Sequence, residues 1–184
     1  GYLKETEGKG ILSGQYCDDG YGKNELAIIE RETGRKPAIA GFDLIRYSPA
    51  LAELGQQSQA VEWAMEEAAD GAIITMCWHW DPPARYLTGG WNNGARIGNT
   101  TIDLDAIMNG EDEEGYDLLR KDMDAIAAQL ARLRDQGIPV IWRPLHEASG
   151  GWFWWGNCSP QSYIKLYRLM YGYFTETWEL DNLI

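Results

Sequence analysis

The eleven residues from Trp142 to Trp152 read Trp-Arg-Pro-Leu-His-Glu-Ala-Ser-Gly-Gly-Trp, and they set His146 and Glu147 between an apolar run and a group of aromatic side chains. That pairing suits cleavage of a glycosidic bond. Flat indole faces stack on a sugar ring, and a carboxyl group protonates the oxygen that leaves. Such an acid must hold its proton near neutral pH, and burial of Glu147 among Trp152, Trp154 and Trp155 would raise its pKa by desolvation. The competing reading is a structural carboxylate paired with Arg143. Trp152-Phe153-Trp154-Trp155 cannot all face one way on a regular element. One or two of these rings are expected to line a cleft, and the others to pack beneath the loop.

His79 and His146 are the only histidines. They could orient carboxylates or donate to sugar hydroxyls, and either one alone could be a satisfied interior histidine. A metal pair completed by Glu147 or Asp81 is the alternative. With no clear third ligand and no zinc-type spacing, no metal is expected. Cys17, Cys77 and Cys158 show no CxxC spacing. Cys77 lies in an apolar run and is expected as a buried thiol, whereas Cys17 and Cys158 each follow a strand end and could be bridged. The acidic stretch from Asp103 to Glu114 could bind calcium weakly, although it fits no EF-hand pattern.

The elements that must position these groups alternate strand and helix about four times. Strands are predicted over Gly10–Gln15, Pro37–Asp43, Ala72–Trp78 and Val140–Arg143. The third is a continuous apolar run, as in a strand buried on both faces. Helices are predicted over Glu25–Thr33, after a Ser58 cap with Val61, Met65 and Ala68 on one side, and over Tyr116–Gln136 with a Leu119, Met123, Ile126, Leu130, Leu133 stripe. Gly137 stops that helix, and Ser159-Pro160 opens a last one with Tyr163, Tyr167, Met170 and Phe174 inward. A Gly-rich loop spans Asp18–Lys23, and a loop as long as Trp80–Gly115 usually carries function. Asp181-Asn182-Leu183-Ile184 reads as the start of a fifth strand.

Repeated β/α units imply a parallel sheet with helices outside. A (β/α)₈ TIM barrel typically takes about 250 residues, so 184 residues with four and a half units read as the N-terminal half of one. Asp43 and Arg46 follow the second strand, Trp78, His79, Trp80 and Asp81 the third, and Arg143, His146 and Glu147 the fourth. All lie at strand C-termini, the face where barrel active sites form. No nucleotide-binding glycine motif is present and no cofactor is implied.

The formal net charge of -12 disfavours nucleic acid and anionic membranes as partners, while a neutral polysaccharide is not repelled. Nine Trp and ten Tyr against three Phe favour rings with a polar handle, which suits a carbohydrate cleft, although large cores also use Trp. No stretch is apolar enough to span a bilayer. No signal peptide is visible and the chain starts at Gly1, so a mature or trimmed form is expected.

Trp142-Arg143-Pro144-Leu145-His146-Glu147, then Trp152-Phe153-Trp154-Trp155-Gly156, resembles the acid/base motif of glycoside hydrolase family 26, whose commonest members are endo-β-1,4-mannanases. Gly41-Phe42-Asp43 and Trp78-His79-Trp80 with Pro82 add to the likeness, which covers nearly the whole chain. The resemblance implies a secreted retaining enzyme acting on mannan, glucomannan or galactomannan, monomeric in its full-length form. It implies Glu147 as acid/base, with His79, His146, Trp152, Trp80 and Arg143 binding substrate. β-1,3-1,4-Glucanase and β-1,3-xylanase activities, or a non-catalytic carbohydrate-binding protein, are the alternatives, with a metal-dependent barrel hydrolase last. A retaining enzyme needs a second carboxylate roughly 5.5 Å from the first. The family carries it on the seventh strand, so residues 1–184, as the N-terminal portion of the catalytic barrel, are expected to lack it. Glu176 and Glu179 should lie far from Glu147, and Asp43 and Asp81 match no nucleophile motif. Two open sheet edges predict poor folding and little hydrolysis for these residues alone.

Overall fold

The computed structural model describes residues 2–18, 20, 22–89 and 94–184. Residues 19 and 21 of the glycine-rich loop and 90–93 of the long loop lie outside the described residues. Four strands, β1 (Gly14–Tyr16), β2 (Ile39–Asp43), β3 (Ile73–Cys77) and β4 (Val140–Arg143), form one parallel sheet in the order β1-β2-β3-β4. The register sets Tyr16 beside Gly41, Asp43 beside Cys77, and Cys77 beside Arg143. Parallel neighbours need a crossover, and every crossover here carries helix. α1 (Tyr2–Thr6) precedes β1, and α2 (Asn24–Thr33) joins β1 to β2. α3 (Pro49–Glu53) and α4 (Ala60–Ala69) lead to β3, α5 (Leu104–Asn109) and α6 (Glu113–Asp135) lead to β4, and α7 (Pro160–Gly172) follows it. Leu183 then pairs in parallel with Val140, as the terminal strand pattern predicts. β1 is shorter and later than predicted, because Gly10–Leu12 run outside the ladder with Ile11 fully exposed, and Ser13 joins it only through its carbonyl, which accepts from the Ile39 amide.

One face of the sheet is the core. Ala40, Phe42, Ile74, Met76 and Val140 pack with Val61 and Ala64 of α4 and with Leu119, Met123, Ile126 and Leu130 of α6. Each of these large side chains contributes roughly 1.5–3 kcal/mol by leaving water. The opposite face carries Ile39, Ile73, Thr75 and Ile141, all half-buried. β3 is therefore not buried on both faces as its apolar run predicts, since helices cover only one side of it.

The long loop is less irregular than its composition predicts, because it contains α5. Its acids act as caps: Asp103 accepts from the Ala106 amide at 3.0 Å and Asp112 from the Gly115 amide at 2.9 Å, while Asp105 accepts from Ser159. These carboxylates serve helix termini rather than a common calcium point. Gly137, at φ +67, ends α6 in the left-handed conformation that glycine tolerates. Ser159 caps α7 with Pro160 in its first turn, as predicted, but the inward face is Leu166, Met170 and Phe174. Tyr163 is half-buried and Tyr167 exposed, because α7 presents a narrower apolar stripe than four large residues would make. Cys17, Cys77 and Cys158 are free thiols, so Cys17 and Cys158 are not bridged. No helix among the described residues is long and apolar enough to cross a membrane.

Candidate active site

A chain of polar groups crosses the C-terminal ends of the strands. Asp43 closes β2 and is 2% exposed, and Tyr16 at the end of β1 donates its hydroxyl to the carboxylate at 2.8 Å. The same carboxylate accepts from the Ile45 amide at 2.9 Å and the His79 amide at 3.0 Å, and bonds Nδ1 of His79. The other nitrogen of that ring, Nε2, lies 3.1 Å from Nε2 of His146, and the two rings meet edge to face. Phe153 packs against both imidazoles and stacks on Trp155 at 4.5 Å.

The charges follow from these contacts. Burial works against the charge of Asp43, but its hydrogen bonds to His79 and the imidazole charge outweigh burial and hold the carboxyl below the usual range. Burial also works against a charged His79, and Asp43 overcomes it and raises that pKa. His146 is lowered to about 4 by burial, with His79 and Arg143 adding to the effect. Of two touching imidazoles, His79 thus holds the extra proton and His146 stays neutral.

Glu147 stands beside this chain. Its carboxylate accepts from the Trp152 indole at 3.0 Å rather than pairing with Arg143, and both Glu147 and Trp152 are solvent-exposed. The expected burial of Glu147 among three indoles is not found. Trp154 and Trp155 are buried, with their N–H groups donated to the Trp80 and His146 carbonyls, so only Trp152 remains as an open ring. Trp80 is the further correction. It is wholly buried, stacks on Trp78 at 4.1 Å and donates to Asp122 of α6 at 2.7 Å, so its ring faces the core and offers no surface to a sugar. Arg143 is exposed on the half-open sheet face, where it shares a hollow of about 140 Å³ with Tyr16 and Cys77. Asp81 is buried, its carboxyl raised to about 6 by burial, and it accepts from the Ala95 amide. Glu176, in the helical turn that continues α7, and Glu179, just after it, are exposed.

A hollow of about 210 Å³ opens beside the histidines, lined by Tyr16, Asp43, His79, Arg96 and Phe153. A bigger hollow, about 810 Å³, is mainly apolar, lined by Met65, Ile73, Ile138, Ile141 and Ile184, and holds none of these groups. Sequence patterns did not single out Tyr16 or Phe153 for the site. The only available signal for Tyr16 was its place at the end of the first strand.

The model of glycosyl hydrolase family 26 matches residues 1–184. The chain belongs to that family. Within family 26 it is 41% identical to a mannan endo-1,4-β-mannosidase of Thermothelomyces thermophilus, covering 100% of this chain and 38% of that protein. It superimposes on the GH26-CBM35 β-(1,4)-mannanase of Podospora anserina with a TM-score of 0.93 at 39% identity, covering 100% of this chain and 41% of the other. A β-mannanase from a symbiotic protist of the termite Reticulitermes speratus, complexed with gluco-manno-oligosaccharide, gives a TM-score of 0.82 at 29% identity and is covered over 58%. The chain thus spans about two fifths of the first two relatives' length, and its α/β fold with a parallel sheet matches part of theirs.

Proposed function

We propose that residues 1–184 are the first four β/α units of a secreted (β/α)₈ mannanase that hydrolyses β-1,4-mannosidic linkages in mannan, glucomannan or galactomannan with retention. The observation that carries this reading is Glu147 at the end of β4, bonded to the one exposed indole of its loop and adjoining the Asp43–His79–His146 chain. A sugar stacked on Trp152 would cover Glu147 and shield it from water. His79 and His146 sit where sugar hydroxyls would be held, with Asp43 fixing the ring of His79. The nucleophile belongs to a later strand, because Asp43 is committed to His79 and Asp81 is enclosed. A polymer of this kind is met outside the cell, which favours secretion. β-1,3-1,4-Glucan and β-1,3-xylan are the competing substrates.

The test is Glu147→Ala in the full-length protein. Release of reducing sugar from mannan should fall by roughly 10²- to 10⁴-fold, while an aryl mannoside whose leaving group needs no proton should be cleaved with a much smaller loss in its first step. Mannan turnover unchanged in the variant would sink the acid/base assignment. Binding without any turnover by the unaltered protein would favour a carbohydrate-binding protein instead.

A further inference from the structure

The sequence offers two histidines without a third ligand, and folding supplies one. Cys77 ends β3 between Asp43 and Arg143 and lines the half-open face of the sheet. Its sulfur, one nitrogen of His79 and one of His146 all lie within 4.8 Å of one another. Small side-chain rotations would bring such donors to the roughly 2.0–2.3 Å bonds of a tetrahedral zinc site. A supporting layer is already built. Asp43 takes Nδ1 of His79 and leaves Nε2 directed at His146, the carboxylate–histidine arrangement that orients metal ligands. His146 is 7% exposed, and its Nδ1 has no partner among the described residues. The two Nε2 atoms lie 3.1 Å apart, close enough for one cation to meet both rings.

We propose that Cys77, His79 and His146 form a binding site for a thiophilic divalent cation of the zinc class, with a fourth position left to water. Binding forms one metal–sulfur and two metal–nitrogen bonds. It releases the Cys77 thiol proton to solvent, with the extra proton of His79 where that ring is charged, and no electron moves. Asp43 and Glu147 favour a cation there and Arg143 opposes it. An occupied site would also exclude a sugar from His79 and His146, a consequence that rests on the function proposed above.

The experiment is titration of the full-length protein with Co²⁺, followed by absorption. Tetrahedral cobalt–thiolate coordination gives visible ligand-field bands and a near-ultraviolet sulfur-to-cobalt charge-transfer band. Both should grow to saturation at one equivalent and be displaced by Zn²⁺. Cys77→Ser should abolish the charge-transfer band, and Asp43→Asn should weaken binding by about tenfold or more. Cys17→Ala and Cys158→Ala should leave the spectrum unchanged. His146→Gln, expected to lose the bands as well, serves as the second variant where circular dichroism shows that Cys77→Ser has not folded. Absence of a charge-transfer band in the unaltered protein, or its persistence in folded Cys77→Ser or His146→Gln, overturns the proposal. The spectra need no turnover, so this site can fail while the mannanase reading stands, and the reverse.

Discussion

Leu145 and Glu147, on either side of His146, both have left-handed backbones at φ +47 and +57. Non-glycine residues pay about 1–3 kcal/mol each for this, and the conformation lasts only where surroundings impose it. The Tyr163 hydroxyl bonds the Leu145 carbonyl at 3.2 Å and the Trp155 indole bonds the His146 carbonyl at 2.9 Å, so the strained turn is pinned from outside. The same turn brings Glu147 to Trp152 and His146 to His79. His79 in turn partners buried Asp43, and its removal should be costly. His79→Asn should destabilise the full-length protein by about 3 kcal/mol, read from chemical denaturation, because a buried charge loses its partner. Asp43 binds its proton less tightly folded than unfolded, so its contribution is complete above roughly pH 4 and is lost as pH falls further. His79 binds its proton more tightly folded, so its contribution is complete below roughly pH 6.5 and is lost as pH rises through the raised value. The gap between variant and parent should therefore be widest between these limits and narrow on both sides. A gap independent of pH would refute the pairing.

At the scale of elements, the loop after β3 is tied to α6 by the Trp80–Asp122 bond. Trp80→Phe should cost about 1–3 kcal/mol by leaving the Asp122 carboxyl unpaired, yet leave KM for mannan unchanged. A raised KM would return Trp80 to the substrate site. Asp122 is pushed up to about 7 by burial, so the folded protein holds that proton more tightly than the unfolded chain. Its favourable contribution is present in acid and is lost as pH rises from about 4 to 7. Asp122→Asn, which keeps an acceptor for the indole, should thus raise Tm at pH 8 by an amount worth up to a few kcal/mol and have little effect near pH 4. A Tm unchanged at pH 8 would place the charge of Asp122 in water. Much at this scale was legible beforehand: the α6 stripe, Gly137 beyond its end, and the Ser159-Pro160 start of α7 are local patterns over a few residues. Trp80 and Tyr167 were misplaced because both belong to types that serve cores and clefts alike, and only packing separates the two uses.

On the whole-molecule scale, Ile39, Ile73 and Ile141 leave one sheet face half-open, and the apolar 810 Å³ hollow lies beneath it. If later strands cover that face, a polypeptide of residues 1–184 alone should bind an apolar fluorescent dye and self-associate on size exclusion, whereas the full-length protein should do neither. Clean monomeric behaviour of the short form would argue against the half-barrel reading. By itself the sequence determined the alternation of strands and helices, their caps, and the place of His146 and Glu147 just past a strand. All of these depend on residue types within a turn or two of one another. Only the tertiary structure decided which indoles stay open, that Glu147 is exposed, and that Tyr16, Asp43 and Cys77 join the two histidines. The Tyr16–Asp43 and His79–His146 contacts join residues 27 and 67 positions apart across neighbouring strands, and no local pattern specifies the register that brings them together.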